Sequence, residues 1–240
     1  MVHFLSFASQ SFIKSLYRIK KEANDSGFFD TVTCIASSQL PFSYRLKHWW
    51  VLNRFTRGYG YWMWKSYITK QKLESIAEGD ILVYLDAGCV INKEGKQRFE
   101  EYLNLVENSE FLNLSFQTVF PEKTYTKGDV FKFFNVQDKA SITDSNQLVG
   151  GIFMLKKNQH TIDLIEDWYH VCHHHIHLIN NSRSKYPNDI LFIDHRHDQS
   201  VFSVLRKMKG TTTISDETWF TNWEEQKIFP FHARRLQSGI

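Results

Sequence analysis

Residues 81–85 read ILVYL, and this apolar run ends on a bare carboxylate, Asp86, followed by Ala87 and Gly88. Five apolar residues bounded by turn formers, here Glu78-Gly79-Asp80, describe a strand covered on both faces, as in a parallel sheet. Each side chain fully buried in such a strand contributes about 1.5–3 kcal/mol, so the strand is well anchored. Asp86 then emerges at its carboxyl end, where open α/β sheets bind their ligands. Ala87 and Gly88 carry little side chain and let a ligand or a metal approach the backbone. An Asp in this position also caps loops and helices, and the fragment alone leaves both readings open.

Around that strand the chain alternates. Residues 2–7 read as a first strand, and Phe12, Leu16, Ile19 and Ala23 then recur at helical spacing until Gly27 closes the helix. A second strand is expected over 28–37 and a short helix over 45–55. The stretch 57–80 begins as a glycine-aromatic loop and turns helical around Trp64, Ile68 and Leu73. Alternation of this kind predicts a parallel sheet. Further on, a helix is expected around Phe99–Val106, a strand over 111–116, a short helix over 129–134 and a strand containing Gly150-Gly151. A long helix over 160–179, a polar loop over 181–195 and, from 197, a loop entering a helix that ends at Gly210 complete the pattern. No repeat, low-complexity tract or linker divides the 240 residues, which predicts a single α/β domain.

Composition narrows the function. A net charge of +3, with basic residues spread along the chain, argues against a nucleic-acid binder and fits an anionic small ligand. Cys34, Cys89 and Cys172 are odd in number and widely spaced, which predicts no disulfide framework and a reducing, cytoplasmic setting. No apolar stretch reaches the roughly 18 residues that span a bilayer, and the first ten residues lack the features of a signal peptide. Residues 12–21 are basic and amphipathic, which leaves transient membrane association open, although their place after a strand favours an ordinary βα unit. The aromatic fraction of 15% exceeds core needs and points to a binding cleft.

Four segments carry candidate chemistry, in this order: RGYGYWMWK at 57–65, YLDAGC at 84–89, LVGGIFMLKK at 148–157 and HDQSVF at 197–202. The set resembles the GT-A class of nucleotide-sugar glycosyltransferases, especially small polysaccharide-modifying enzymes of bacteria and large DNA viruses. The resemblance implies a GT-A fold, Rossmann-like with a mostly parallel central sheet. It implies a nucleotide-sugar-binding half over 1–115 and an acceptor and catalytic half over 116–240. It also implies a nucleotide-sugar donor, with UDP as carrier, a carbohydrate acceptor and a role in glycan or polysaccharide synthesis. Carried over by position, Asp86 matches the first Asp of the class's Asp-x-Asp motif, which holds the diphosphate through a divalent metal. Gly150 and Gly151 match the floor of the donor and acceptor site. Asp198 and Gln199 match a pair beside the reacting sugar carbon, which favours retention of configuration, and His232 matches a closing metal ligand. The sequence departs from the class at Gly88, where the second motif carboxylate is missing. Asp86, His232 and the diphosphate would then have to hold Mn²⁺ or Mg²⁺ together.

Sugar transfer releases a nucleoside diphosphate, and stabilising that developing charge is where catalysis gains most. A metal does so as a Lewis acid. Basic side chains do so too, and Arg57, Lys65, Arg234 and Arg235 flank the motifs. Arg57, Tyr61 and Lys65 fall where a loop enters a helix, a natural anion site, and with Ala87 and Gly88 complete the expected donor contacts. Each basic residue taken alone also reads as solvated surface. Asp198 suits either stabilisation of an oxocarbenium-like state or, more simply, an N-cap for a helix starting at Ser200. His173 and His177 have a usable metal spacing, but without a second cluster the tract reads as a solvated helix face. Two rival functions remain: a sugar-nucleotide or glycan binder without catalysis, and a phosphotransferase of the haloacid-dehalogenase kind. The latter wants a second Asp two residues after the first.

Overall fold

The computed structural model describes residues 1–237, apart from the side chain of Glu225. Eight strands lie among the described residues: β1 (Val2–Ala8), β2 (Thr31–Ala36), β3 (Ile81–Leu85), β4 (Val90–Ile91), β5 (Asn113–Pro121), β6 (Asn146–Lys156), β7 (Thr212–Ser215) and β8 (Phe231–His232). Six of them form one sheet in the order β2-β1-β3-β6-β5-β7. The β1–β2, β1–β3 and β5–β7 pairs are parallel, whereas β6 runs antiparallel to both neighbours, β3 and β5. β4 and β8 form a separate antiparallel ribbon.

The apolar run of β3 is explained by its place in this sheet. Alternate side chains face opposite ways along a strand. Ile81, Val83 and Leu85 pack with Leu16 and Ile19 of the helix Ile13–Ser26 and with Phe99 and Tyr102 of the helix Lys96–Asn108. Leu82 and Tyr84 face the other layer, with Trp64 and Ile68 of the helix Met63–Ser75, Trp168 of the helix Gln159–His174 and Phe202 of the helix His197–Lys209. All five β3 residues are buried because both faces are covered.

Gly27 ends the first helix in the left-handed region at φ 69°, as its position predicts. The helix expected over 45–55 runs instead from Phe42 to Lys47, set up by Pro41, after which the chain turns. The long helix over 160–179 stops at His174 and continues as a short 3₁₀ turn, Ile176–Leu178. Cys34, Cys89 and Cys172 are all free. No helix among the described residues is long and apolar enough to cross a membrane.

Candidate active site

Strand alternation decides where Asp86 points. It follows Leu82 and Tyr84 at a spacing of two, and the Tyr84 hydroxyl donates to Asp86 Oδ1 at 2.7 Å. The antiparallel run of β6 then supplies the opposite wall. Leu85 pairs with Ile152, so Gly151 falls beside Asp86, and the Asp86 N–H donates to the Gly151 carbonyl at 2.8 Å. A Cβ on Gly151 would lie 2.6 Å from Asp86 Oδ2, so glycine is required for the carboxylate to rest there. Gly150 is glycine for a different contact: a Cβ on it would meet Gln199 Cβ at 2.6 Å, where the 197–209 helix crosses β6.

Lys65, in the first turn of the 63–75 helix, ties these parts together. Its Nζ lies 3.1 Å from Asp86 Oδ1 and 3.2 Å from Asp198 Oδ2, and donates to the Gly150 carbonyl at 3.1 Å. Lys65 is 2% exposed and Asp198 3%, whereas the Asp86 side chain keeps 37% of its surface. Burial works against the Lys65 charge, but the carboxylates of Asp198 and Asp86 outweigh it and raise its pKa. Burial, opposed by Lys65 and reinforced by the Asp86 charge, pushes Asp198 up to about 7. The expected capping role of Asp198 does not hold, because the helix starts at His197 and Arg196 occupies the N-cap. Gln199 donates through Nε2 to Gln147 Oε1 at 3.0 Å, and Gln147 donates in turn to the buried Glu122 at 2.9 Å.

The loop before Lys65 takes an unusual path. From Gly58 through Trp62 every residue has positive φ, which makes one left-handed turn with Tyr59, Tyr61 and Trp62 in it. Left-handed helical conformation costs a non-glycine residue about 1–2 kcal/mol, and such strain collects at functional sites. The turn is held by Trp64 Nε1, which donates to the Gly58 carbonyl at 2.9 Å. Its side chains and the ends of β1 and β3 enclose a cavity of about 1100 Å³. Of the sequence-derived candidates, Arg57, Lys65, Asp86, Ala87, Gly88, Gly151, Asp198 and Gln199 line it. Tyr61 does not: its ring stacks on His197 at 5.4 Å and so packs behind Asp198.

No protein-family model matches the chain, and no curated protein matches it. Solved structures do. A glycosyltransferase involved in the glycosylation of the major capsid of PBCV-1 superposes with a TM-score of 0.50 at 13% identity, covering 96% of this chain and 90% of that one. Mouse xyloside xylosyltransferase 1 gives a TM-score of 0.45 at 10% identity, covering 94% and 90%. An active-site mutant of LgtC gives 0.46 at 11% identity, covering 91% and 74%.

The chain has the GT-A glycosyltransferase fold.

In this GT-A fold the expected metal ligands do not assemble. His232 lies on β8, opposite Val90, and lines a different hollow together with Trp223 and Glu22. Its Nε2–H donates to the Phe229 carbonyl at 3.1 Å. A side chain at Gly88 would be crowded, because the chain returns across it: Leu236 N–H donates to the Gly88 carbonyl at 2.9 Å. A Cβ on Gly88 would sit 3.1 Å from Arg235 Cα. Asp86 Oδ1 is already engaged by Tyr84 and Lys65. Among the described residues no group of three or more His, Cys, Asp or Glu is arranged to hold a metal, so the side chains form no all-protein cage for a divalent cation, and of the two expected ligands only Asp86 lines the cavity. Within the histidine tract His174 and His177 are exposed, as a solvated face requires, but His173 is turned inward. His173 stacks on Tyr169 at 4.0 Å and shares a hydrogen bond with the Tyr44 hydroxyl at 2.9 Å.

Tyr84 and Gln147 are site-forming residues that pattern reading missed. Tyr84 read as one more apolar strand residue, and Gln147 as the polar start of a strand. The spacing of two between Tyr84 and Asp86 was the available signal for the first; Gln147 has none.

Proposed function

We propose that this chain is a glycosyltransferase that moves a sugar from a nucleotide-sugar donor, with UDP as carrier, to a carbohydrate acceptor. The observation that carries the reading is the convergence of Asp86, Lys65 and Asp198 at the carboxyl end of β3 in a GT-A fold. In this reading the donor enters against the first half of the chain, where Phe7, Ser9 and Ser37 line the cavity. A second hollow, lined by Asn180, Ser182 and Asn188, shares Arg57 and Asp194 with the cavity and offers hydroxyl-binding groups to the acceptor.

As the bond between sugar and diphosphate breaks, negative charge grows on the leaving phosphate. Lys65, Arg57 and Arg235, all lining the cavity, supply the compensating charge in place of a protein-held divalent cation. In this reading Asp198 and Gln199 act beside the sugar carbon, where a carboxylate stabilises oxocarbenium character, and the transfer retains configuration as the resemblance of the Asp-Gln pair implies.

The test is calorimetric titration of UDP, with GDP as control, into wild type and Asp86→Ala, each with Mn²⁺ and with EDTA. UDP binding that survives EDTA and weakens in Asp86→Ala supports the reading, while absence of nucleotide binding overturns it. A donor-hydrolysis assay separates transferase from binder, since a pure binder holds the nucleotide and releases no sugar. Product anomer, read by NMR, decides retention.

A further inference from the structure

The residues 42–55 carry two sets of apolar side chains. Tyr44, His48, Val51 and Leu52 are buried and pin the segment to the domain. Interspersed with them, Phe42 (71% exposed), Leu46 (59%), Trp49 (70%), Trp50 (53%) and Phe55 (84%) project into solvent. Five large apolar side chains exposed within fourteen residues exceed what a soluble surface carries singly and mark an interaction site. Their charged neighbours are of one sign. Arg45, Lys47, Arg54 and Arg57 lie in or just after the segment, and no Asp or Glu occurs between Asp30 and Glu74.

We infer that this segment docks the protein on an anionic phospholipid surface. Trp rings favour the headgroup level of a bilayer, where one edge is wet and the other apolar, and Phe and Leu side chains bury beside them at the acyl boundary. Basic residues beside them are drawn to the negative surface potential of anionic lipids. Arg57 is paired with Asp194 at 3.6 Å, but Arg45, Lys47 and Arg54 have no acidic neighbour along the segment, and this one-signed charge favours a lipid surface over a protein partner, whose contacts would ordinarily carry both signs. The patch also adjoins the cavity mouth, since Arg54 and Phe55 line the cavity themselves. The basic helix Ile13–Ser26 is not a competing anchor, because Leu16, Ile19 and Ala23 are buried in the core and Arg18 donates to the Ala87 and Cys89 carbonyls. Docking is independent of the proposed chemistry and stands or falls separately from it.

The test is flotation of the full chain with phosphatidylcholine vesicles, with and without phosphatidylglycerol, at low and high salt. Binding to the anionic vesicles alone, weakened by salt, is expected. Lys47→Ala, which touches neither core nor cavity, lowers the partition coefficient by about fivefold, the loss expected for one surface charge. The double variant Trp49→Ser, Trp50→Ser removes binding while its far-UV circular dichroism matches wild type. Failure of wild type to float at low salt overturns the inference, as does binding indifferent to the double variant. Dimerisation in sedimentation velocity that the double variant abolishes also overturns it, since the patch would then join two copies of the chain.

Discussion

Lys65 Nζ and Asp198 Oδ2 lie 3.2 Å apart inside the domain, and among the described residues Asp198 Oδ2 has no hydrogen-bond partner besides this ion pair. Each group is buried at the expense of its hydration; Asp198 and Asp86 hold the Lys65 charge, whereas Lys65 favours and Asp86 opposes the charge on Asp198. The pair therefore couples the stability of the domain to the polarity of the candidate site.

Lys65→Met isolates a buried carboxyl. Breaking a buried pair by removing one partner costs about 3–5 kcal/mol. With Lys65 gone, its downward pull on the Asp198 pKa is lost, so the carboxyl takes up a proton more readily than in wild type; the loss is smaller at low pH, where it is protonated, and grows as pH rises. Urea unfolding of wild type and variant at about pH 6 and about pH 8, either side of the wild-type pKa of about 7, checks the trend.

Asp198 also sets a pH dependence of its own. Its folded pKa, about 7, lies above the ordinary 3.8, so the folded state holds the proton more tightly. The associated stability is fully present below about 4 and is lost as pH rises toward about 7. His173 acts in the opposite sense. Burial lowers it from 6.5 to about 3, so its contribution is present above 6.5 and is lost as pH falls through that range. Thermal melts of Asp198→Asn and His173→Gln against wild type from about pH 3 to about pH 8, a range spanning both transitions, separate the two slopes.

Gly151→Ala places a methyl group 2.6 Å from Asp86 Oδ2. Overpacking of this kind costs about 1–3 kcal/mol and pushes the carboxylate off its seat. A fall in UDP affinity of about tenfold or more is expected, equivalent to about 1.4 kcal/mol. Titration calorimetry measures the affinity and a thermal melt the stability. An unchanged affinity would remove Asp86 from the donor site.

Gly88→Asp restores the acidic spacing that the GT-A class uses, but in this chain the new side chain meets the Arg235 backbone. Lower stability without any gain in Mn²⁺ affinity is expected, read from melts with and without the ion. Mn²⁺-dependent stabilisation of this variant would show that the returning C-terminal segment can yield.

The order of strands and helices was legible in the sequence because helix and strand periods are written in neighbouring residues. The run 81–85 had to be covered on both faces, Asp86 had to stand at its end, and Gly27 had to close its helix, since burial and backbone sterics at those positions depend on local spacing. Asp86, Asp198 and the glycine pair could be singled out for the same reason. What no local pattern carries is direction in the sheet and the meeting of distant side chains. Tertiary structure alone decided that β6 runs antiparallel and sets Gly151 against Asp86, and that Lys65 bridges two carboxylates from separate elements. It also turned Gly58–Trp62 left-handed, laid the Arg235 backbone over Gly88 and sent His232 to another hollow. Those outcomes come from the sum of many long-range packing contacts, which the spacing of residues along a chain does not record.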